Sequence, residues 1–220
     1  MAKVYEIIDF QRRETGSKEL ITKFGGQPDW VAIEDWPVSA GWENRKMTFI
    51  GQIFLKKNML GNQQDLMVYL FMTQPECFED SFYDPDIAAW EGGETAVLIQ
   101  RLDGVQTPIS GASGPAVFDE NDVQYEYLPV LKEIQEADEI SQSAYAQLDS
   151  EQFDCIDIDK IGGTPAFFQG DDTPQEGCWK LLLQLHCNFL PFVLRAGGSP
   201  TMFVFVSKDF EKGGILIQDS

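Results

Sequence analysis

The hexapeptide Lys23-Phe24-Gly25-Gly26-Gln27-Pro28 returns as Lys160-Ile161-Gly162-Gly163-Thr164-Pro165, and the segments after the two copies are also alike. A glutamine among apolar residues comes next, Gln52 in Phe49-Ile50-Gly51-Gln52-Ile53 and Gln184 in Leu181-Leu182-Leu183-Gln184-Leu185. The run 66–72 then corresponds to 202–207, and 97–100 to 215–218. Four elements recurring in one order identify a duplicated unit, a Gly-Gly loop followed by three strands. The paired glycines predict backbone at positive φ or a close approach by another segment, and the proline fixes how the chain leaves the loop. Gln52 is placed on the strand face of Ile50 and Phe54, and Gln184 beside Leu182. Each amide is expected to be buried and hydrogen-bonded to its Gly-Gly loop. Gly25, Gly26, Pro28, Gln52, Gly162, Gly163, Pro165 and Gln184 are therefore read as structural rather than as the lining of a pocket.

Around this repeat the pattern predicts a β-rich α+β protein. Strand-like runs cover 47–55, 66–72, 95–101, 123–127, 181–185, 202–207 and 215–218. Val4, Ile7, Ile8 and Gln11 fall at helical spacing with Gly16 as a stop, which predicts an N-terminal helix over residues 2–15. Residues 129–148 open with a proline and space Ile134, Ala137, Ala144 and Leu148 in the helical manner, which predicts a central helix. The 220 residues, 43% hydrophobic with 16 Phe and 5 Trp, suffice for one substantial core. The expected organisation is a single domain over 1–220, built from repeats at roughly 17–101 and 154–220 joined by an acidic insert at 102–153.

Several chemistries lack the residues they need. The four cysteines, at 77, 155, 178 and 187, form no CxxC pair, and a lone histidine cannot complete a tetrahedral zinc site with them. Gly111-Ala112-Ser113-Gly114-Pro115 has proline where a nucleophile elbow requires glycine, and reads as a turn. Asp154, Asp157 and Asp159 suggest calcium, but Phe168 occupies the position of the bidentate glutamate, so they read as an acidic strand edge. Neither Gly-Gly loop has the spacing of a phosphate cradle. No nucleophile and base are recognisable as a pair, so the chain is read as non-enzymatic, with no catalytic residues, metal or cofactor. Lys3, Glu6 and Asp9 interrupt the first ten residues and polar residues interrupt 179–194, leaving no signal peptide or membrane span; a cytoplasmic protein is expected.

Charge is the most distinctive remaining feature. The formal net charge is -20, with 16 basic and 36 acidic residues. Residues 1–57 carry nine basic and eight acidic side chains, whereas 58–220 carry seven basic and 28 acidic. Such a surface repels phosphate backbones and anionic lipid, so direct nucleic-acid and membrane binding are disfavoured and a basic protein is the expected partner. Two stretches concentrate the acids, 76–94 and 117–160. In the first they are interleaved with aromatic rings, a composition suited to steering and anchoring a cationic protein. The candidate partner-binding residues are Glu76, Glu79, Asp80, Phe82, Tyr83, Asp84, Asp86, Trp90 and Glu91.

The KxGGxP loop at Lys23–Pro28 with its following strand at Thr48–Ile53, and the degenerate second copy at Lys160–Pro165 and Leu181–Leu185, resemble the bacterial YwqG-like family, a domain of unknown function. A more distant similarity is to the programmed cell death protein two family, without that family's zinc-binding cysteines. The first resemblance implies an immunity protein, a monomer that occludes a cationic toxin, a DNase-type effector of a type VI or polymorphic toxin system, in a heterodimeric complex. The second implies a chaperone-like binder of a basic ribosomal protein. A small-ligand site between the halves, near Gln52, Gln184 and His186, is the third expectation.

Overall fold

In the computed structural model, which describes residues 2–16, 18–80, 84–136, 147–174 and 178–219, ten strands form one sheet. In chain order they are β1 (Ala2–Arg13), β2 (Lys23–Gly25), β3 (Thr48–Leu55), β4 (Leu66–Met72), β5 (Thr95–Arg101), β6 (Glu126–Glu136), β7 (Lys160–Ile161), β8 (Trp179–His186), β9 (Pro200–Ser207) and β10 (Gly213–Asp219). Helical structure among the described residues is confined to two 3-10 turns, η1 (Pro85–Ile87) and η2 (Cys187–Phe189), and one short helix, α1 (Ser150–Asp154). None of these is long and apolar enough to cross a membrane. The expected α+β class is thus replaced by an almost all-β architecture.

The sheet order is β10-β9-β8-β7-β1-β6-β2-β3-β4-β5, with every neighbouring pair antiparallel. The two long strands β1 and β6 stand at the centre. On one side lie β2–β5 and on the other β7–β10, each a Gly-Gly loop strand followed by a three-stranded meander. The sheet curls until β5 and β10 approach each other, so the barrel is nearly closed. At this seam a Cβ on Gly213 would stand 2.4 Å from Val97 Cγ1, a separation only glycine permits. The connection after β4 bridges the same seam: Ile87 is fully buried in the central core, and Ala88 O accepts the Ile217 amide at 3.5 Å.

Both predicted long helices are corrected. Residues 2–13 are β1, and the four residues at helical spacing do not share a face: Val4 and Ile7 are buried, whereas Gln11 is exposed and Ile8, at a bulge, is 53% exposed. Ile7 pairs with Leu131 and Asp9 with Val130, so the strand loses one step of alternation. Tyr5, Ile7 and Phe10 all reach the barrel core, and the three-residue interval from Ile7 to Phe10 imitates a helical turn. Residues 129–136 of the expected central helix belong to β6, and 137–146 lie outside the described residues.

Alternation sorts the meander strands into an inner and an outer face. Leu66, Val68, Leu70 and Met72 join Met202, Val204, Val206, Ile215 and Ile217 in the common interior. The opposite face of the first half, with Met67, Tyr69 and Phe71, is covered by Trp30 and Trp36. That of the second half, with Phe203, Phe205 and Leu216, is covered by Phe167. Because both faces are buried, β4 and β9 read as uninterrupted apolar runs rather than as alternating ones.

The Gly-Gly motifs occupy equivalent places. Bulges at Ile50 in β3 and Leu182 in β8 turn these two residues into the barrel and leave Gln52 and Gln184 on the outer face, which corrects the expectation that glutamine and bulge residue share a face. Gln52 Oε1 accepts the Asp29 amide at 2.8 Å and its Nε2 donates to Ile21 O at 2.9 Å. Gln184 Oε1 accepts the Ala166 amide at 2.8 Å and its Nε2 donates to Ile156 O and Ile158 O. The amide used in each half is the one just after the proline, Pro28 or Pro165, which has no N–H of its own and fixes the direction of exit.

Each motif lysine is buried against a glutamate of β6. Lys23 Nζ lies 2.7 Å from Glu126 Oε1, and Lys160 Nζ 2.6 Å from Glu136 Oε1. Gly26, at φ +67°, and Gly163, at φ +85°, are required twice over. A Cβ on either would also collide with the Glu126 or Glu136 side chain, at 2.6 and 2.4 Å. Gly25 and Gly162 share the positive φ. The halves differ at one charge: Asp29 adds a second carboxylate 2.6 Å from Lys23, where the second half has Ala166. Arg13, 2.7 Å from Glu126, completes that first network. Burial raises the pKa of Asp29, and burial lowers that of Lys160.

Candidate partner-binding surface

The acidic-aromatic stretch lies between β4 and β5, and the fold divides it. Thr73 to Glu94 leave the sheet, cross the seam and return. Two of the acids within this excursion are turned inward. Asp84 is buried, accepting the Asp86 amide at 2.9 Å as the cap of η1 and also the Trp42 indole N–H. Glu94 is buried between the Thr73 hydroxyl and the Gly41 amide. Glu76, Glu79, Asp86 and Glu91 are exposed and Asp80 half-buried, while Phe82 and Tyr83 lie outside the described residues. Glu76 reaches Arg45 only at 3.8 Å.

The exposed members fall into two places. Phe78 joins a hollow of about 540 Å³ at one mouth of the barrel, with Arg12, Asp119, Glu120, Asn188 and Leu190. Its amide donates to Asp122, and the Arg195 guanidinium lies over its ring, 5.3 Å from the centroid. Phe189, between two of the lining residues, is 83% exposed. Trp90 and Glu91 instead line a cleft of about 1020 Å³ beside the seam. There Trp90 meets Trp179 edge-to-face with ring centroids 5.0 Å apart. The second half contributes Asp171, Asp172 and Glu211 to the same cleft. Those three acids and Trp179 were not among the residues expected from the sequence, because only the closing of the barrel brings them to Trp90.

The cations of the acidic region are largely engaged in contacts within the same chain. Arg101 pairs with Glu211, Lys132 with Glu6 at 3.0 Å and Lys160 with Glu136 at 2.6 Å. Lys180 donates to Leu60 O at 2.8 Å and Arg195 to Phe78 O. Five of the seven basic residues after position 57 are therefore engaged, and the exposed carboxylates of the excursion face solvent with little to offset them.

The other candidates resolve into local structure. Asp157 and Asp159 hold the lone histidine, with His186 Nε2 2.9 Å from Asp157 Oδ1 and Nδ1 2.7 Å from Asp159 Oδ1. The hydrogen bond to Asp159 chiefly raises the His186 pKa. No cluster suited to a metal ion occurs among the described residues. In the Gly111–Pro115 turn, Gly114 exchanges hydrogen bonds with the Gln27 amide group, and Ala112 O accepts the Trp30 indole. Gln52 and Gln184 are each satisfied by backbone groups of their own half.

Both lysine–glutamate motifs, both glutamines and the acidic excursion fall within residues 22–208, the span matched by the family model for a domain of unknown function, DUF1963. The chain belongs to the DUF1963 family. The DUF1963 match begins one residue before Lys23 and ends just after β9, so it covers both Gly-Gly motifs and strands β2–β9, while β1 and the last strand of the second repeat, β10, lie outside it. A search of curated proteins found no match to the chain.

Proposed function

We propose that this DUF1963 protein is a non-enzymatic binding protein that uses the acidic face around the 73–94 excursion to take a basic protein partner. The observation that supports the reading is the one-sided use of charge: Glu76, Glu79, Asp86 and Glu91 face solvent, whereas most cations after position 57 are engaged by groups of the same chain. Unpaired surface charge accelerates encounter with an oppositely charged protein, and aromatic anchors such as Phe78 and Trp90 retain it. With the YwqG-like resemblance, the finer reading is a cytoplasmic immunity protein that forms a heterodimer with a cationic toxin, a DNase-type effector, and occludes its active-site cleft. Nuclease clefts are electropositive because their substrate is a polyanion, so an acidic surface is complementary to them.

The test is co-expression with the product of the adjacent gene, combined with affinity capture and mass spectrometry. Capture of a basic toxin together with rescue of growth supports immunity. Capture of a ribosomal protein without rescue would move the reading to a chaperone-like role. In the captured complex, Glu76→Gln/Glu79→Gln/Glu91→Gln should slow association and flatten its salt dependence; an unchanged rate removes this face from the interface.

A further inference from the structure

The seam cleft brings together a tryptophan pair and carboxylates from separate segments. We propose that it is an anchor pocket for an arginine side chain of the partner, an inference that rests on the binding-protein reading above and names the chemistry it recognises. Trp90 and Trp179 supply indole surface, and the exposed Glu91, Asp171, Asp172 and Glu211 supply negative charge, against Lys212 as the cation among the lining residues. The site is preorganised. A Cβ on Gly214 would stand 2.7 Å from the Trp90 ring, so the indole rests directly on the backbone of β10, with Phe205 6.0 Å away behind it. Trp90 is thereby fixed before any partner arrives, which limits the entropy lost on binding.

Guanidinium suits this cleft better than ammonium. It is planar, more weakly hydrated, stacks on an indole face and binds carboxylate in a two-pronged manner. The protein already uses the same chemistry elsewhere, where Arg12 lies 4.4 Å from the Tyr125 ring centroid and Arg195 covers Phe78. At the rim of the cleft itself Glu211 already pairs with a guanidinium, that of Arg101. Asp171 and Asp172 stand within the cleft on the opposite half of the barrel from Trp90, so an arginine entering between them meets ring and carboxylate together.

The probes are an alternating Arg-Gly octapeptide and its Lys-Gly counterpart, titrated into the full chain at low salt while the tryptophan indole N–H resonances are followed by NMR. The arginine peptide should shift the Trp90 and Trp179 signals, leave those of the buried Trp30 and Trp36 in place, and bind about fivefold more tightly than the lysine peptide. Glu91→Gln/Asp171→Asn/Asp172→Asn, which removes the negative charge and keeps an oxygen to accept the 2.7 Å hydrogen bond that Gln218 Nε2 gives Asp172, should weaken binding on the order of tenfold. Trp179→Leu keeps the acids and should erase the preference for arginine. If the arginine peptide binds but the two indoles do not respond, or the triple variant binds unchanged, the pocket is refuted while the acidic-binder reading stands. If neither peptide binds at low salt, the binder reading falls with it.

Discussion

Replacing Lys160 by methionine tests the central claim about the repeated motif, that each half is pinned to β6 by a buried ion pair. Lys160 is 0% exposed and Glu136 6%, and their charged atoms are 2.6 Å apart. The other Glu136 oxygen accepts the Thr164 amide at 2.8 Å. Removing the ammonium leaves a buried carboxylate with one backbone donor, which costs about 3–5 kcal/mol. Removing the carboxylate charge alone by Glu136→Gln leaves a buried lysine without its counter-ion and falls in the same range. In the double variant no charge is stranded: the glutamine oxygen still accepts from Thr164, and the remaining cost is an amide NH₂ without a partner, about 1–3 kcal/mol. The two single losses should therefore greatly exceed the loss in the double variant. Urea unfolding followed by tryptophan fluorescence measures all four proteins, with a common m-value as the check that the unfolded states are comparable. A double variant that loses the sum of the two singles would refute the pairing, because uncoupled residues add. Lys23→Met should also be costly, since it leaves the buried Asp29 without a cation, whereas Glu126 keeps Arg13 at 2.7 Å.

The same geometry sets three further outcomes. His186 has a folded pKa raised chiefly by Asp159, so the folded state binds the extra proton and stability falls as pH rises above the ordinary histidine range; His186→Asn should flatten that decline in thermal unfolding measured from pH 6 to 9. Gly26→Ala and Gly163→Ala combine a positive φ with a collision against Glu126 or Glu136, and each should lower stability by about 1–3 kcal/mol or more in the same urea assay, whereas Gly104→Ala, where a Cβ meets nothing, should show only the φ penalty. Burial pushes the Cys187 thiol up to about 12, and Cys155 and Cys178 are exposed, so iodoacetamide should label the latter two and spare Cys187 in the folded protein, as read by peptide mass spectrometry.

Much of the sheet is legible in the sequence, since the runs at 47–55, 66–72, 95–101, 181–185, 202–207 and 215–218 all fall within or almost within observed strands. Repeats preserve both the apolar pattern and the special residues that end it. Part of what misled was the bulge. At Ile8 an extra residue converts alternation into a three-residue interval, and at Ile50 and Leu182 it reverses which face the neighbouring glutamine occupies. A bulge leaves no compositional mark, so a period-two reading fails on one side of it. The strand β6 was hidden for a different reason. Its middle, from Leu128 to Gln135, is only half-buried or exposed, so its apolar residues do not alternate cleanly, and Pro129 imitates a helix start. The cleft was legible only in part, because Trp90 and Glu91 stand out in the linear sequence while Trp179 and Asp171 are distant in it.

Comparison of the two halves shows where the structure departs from its own repeat. After β9 the chain returns to β10 through residues 208–212, five residues and a tight turn; the equivalent return from β4 to β5 takes 73–94, 22 residues. Sheet geometry needs only the shorter connection. The added length does two things. Ile87 enters the barrel core and Ala88 O takes the Ile217 amide, so the excursion fills the gap that β5 and β10 leave unbonded. Having been anchored there, the same segment holds Phe78 at the mouth and Trp90 and Glu91 at the cleft on a rigid support. The duplicated residues Lys23 and Lys160, Gln52 and Gln184 maintain the barrel in both halves. The unduplicated segment adds exposed acid and aromatic side chains to that scaffold, and a long connection fixed at its centre and exposed at its flanks is the form that the proposed binding role requires.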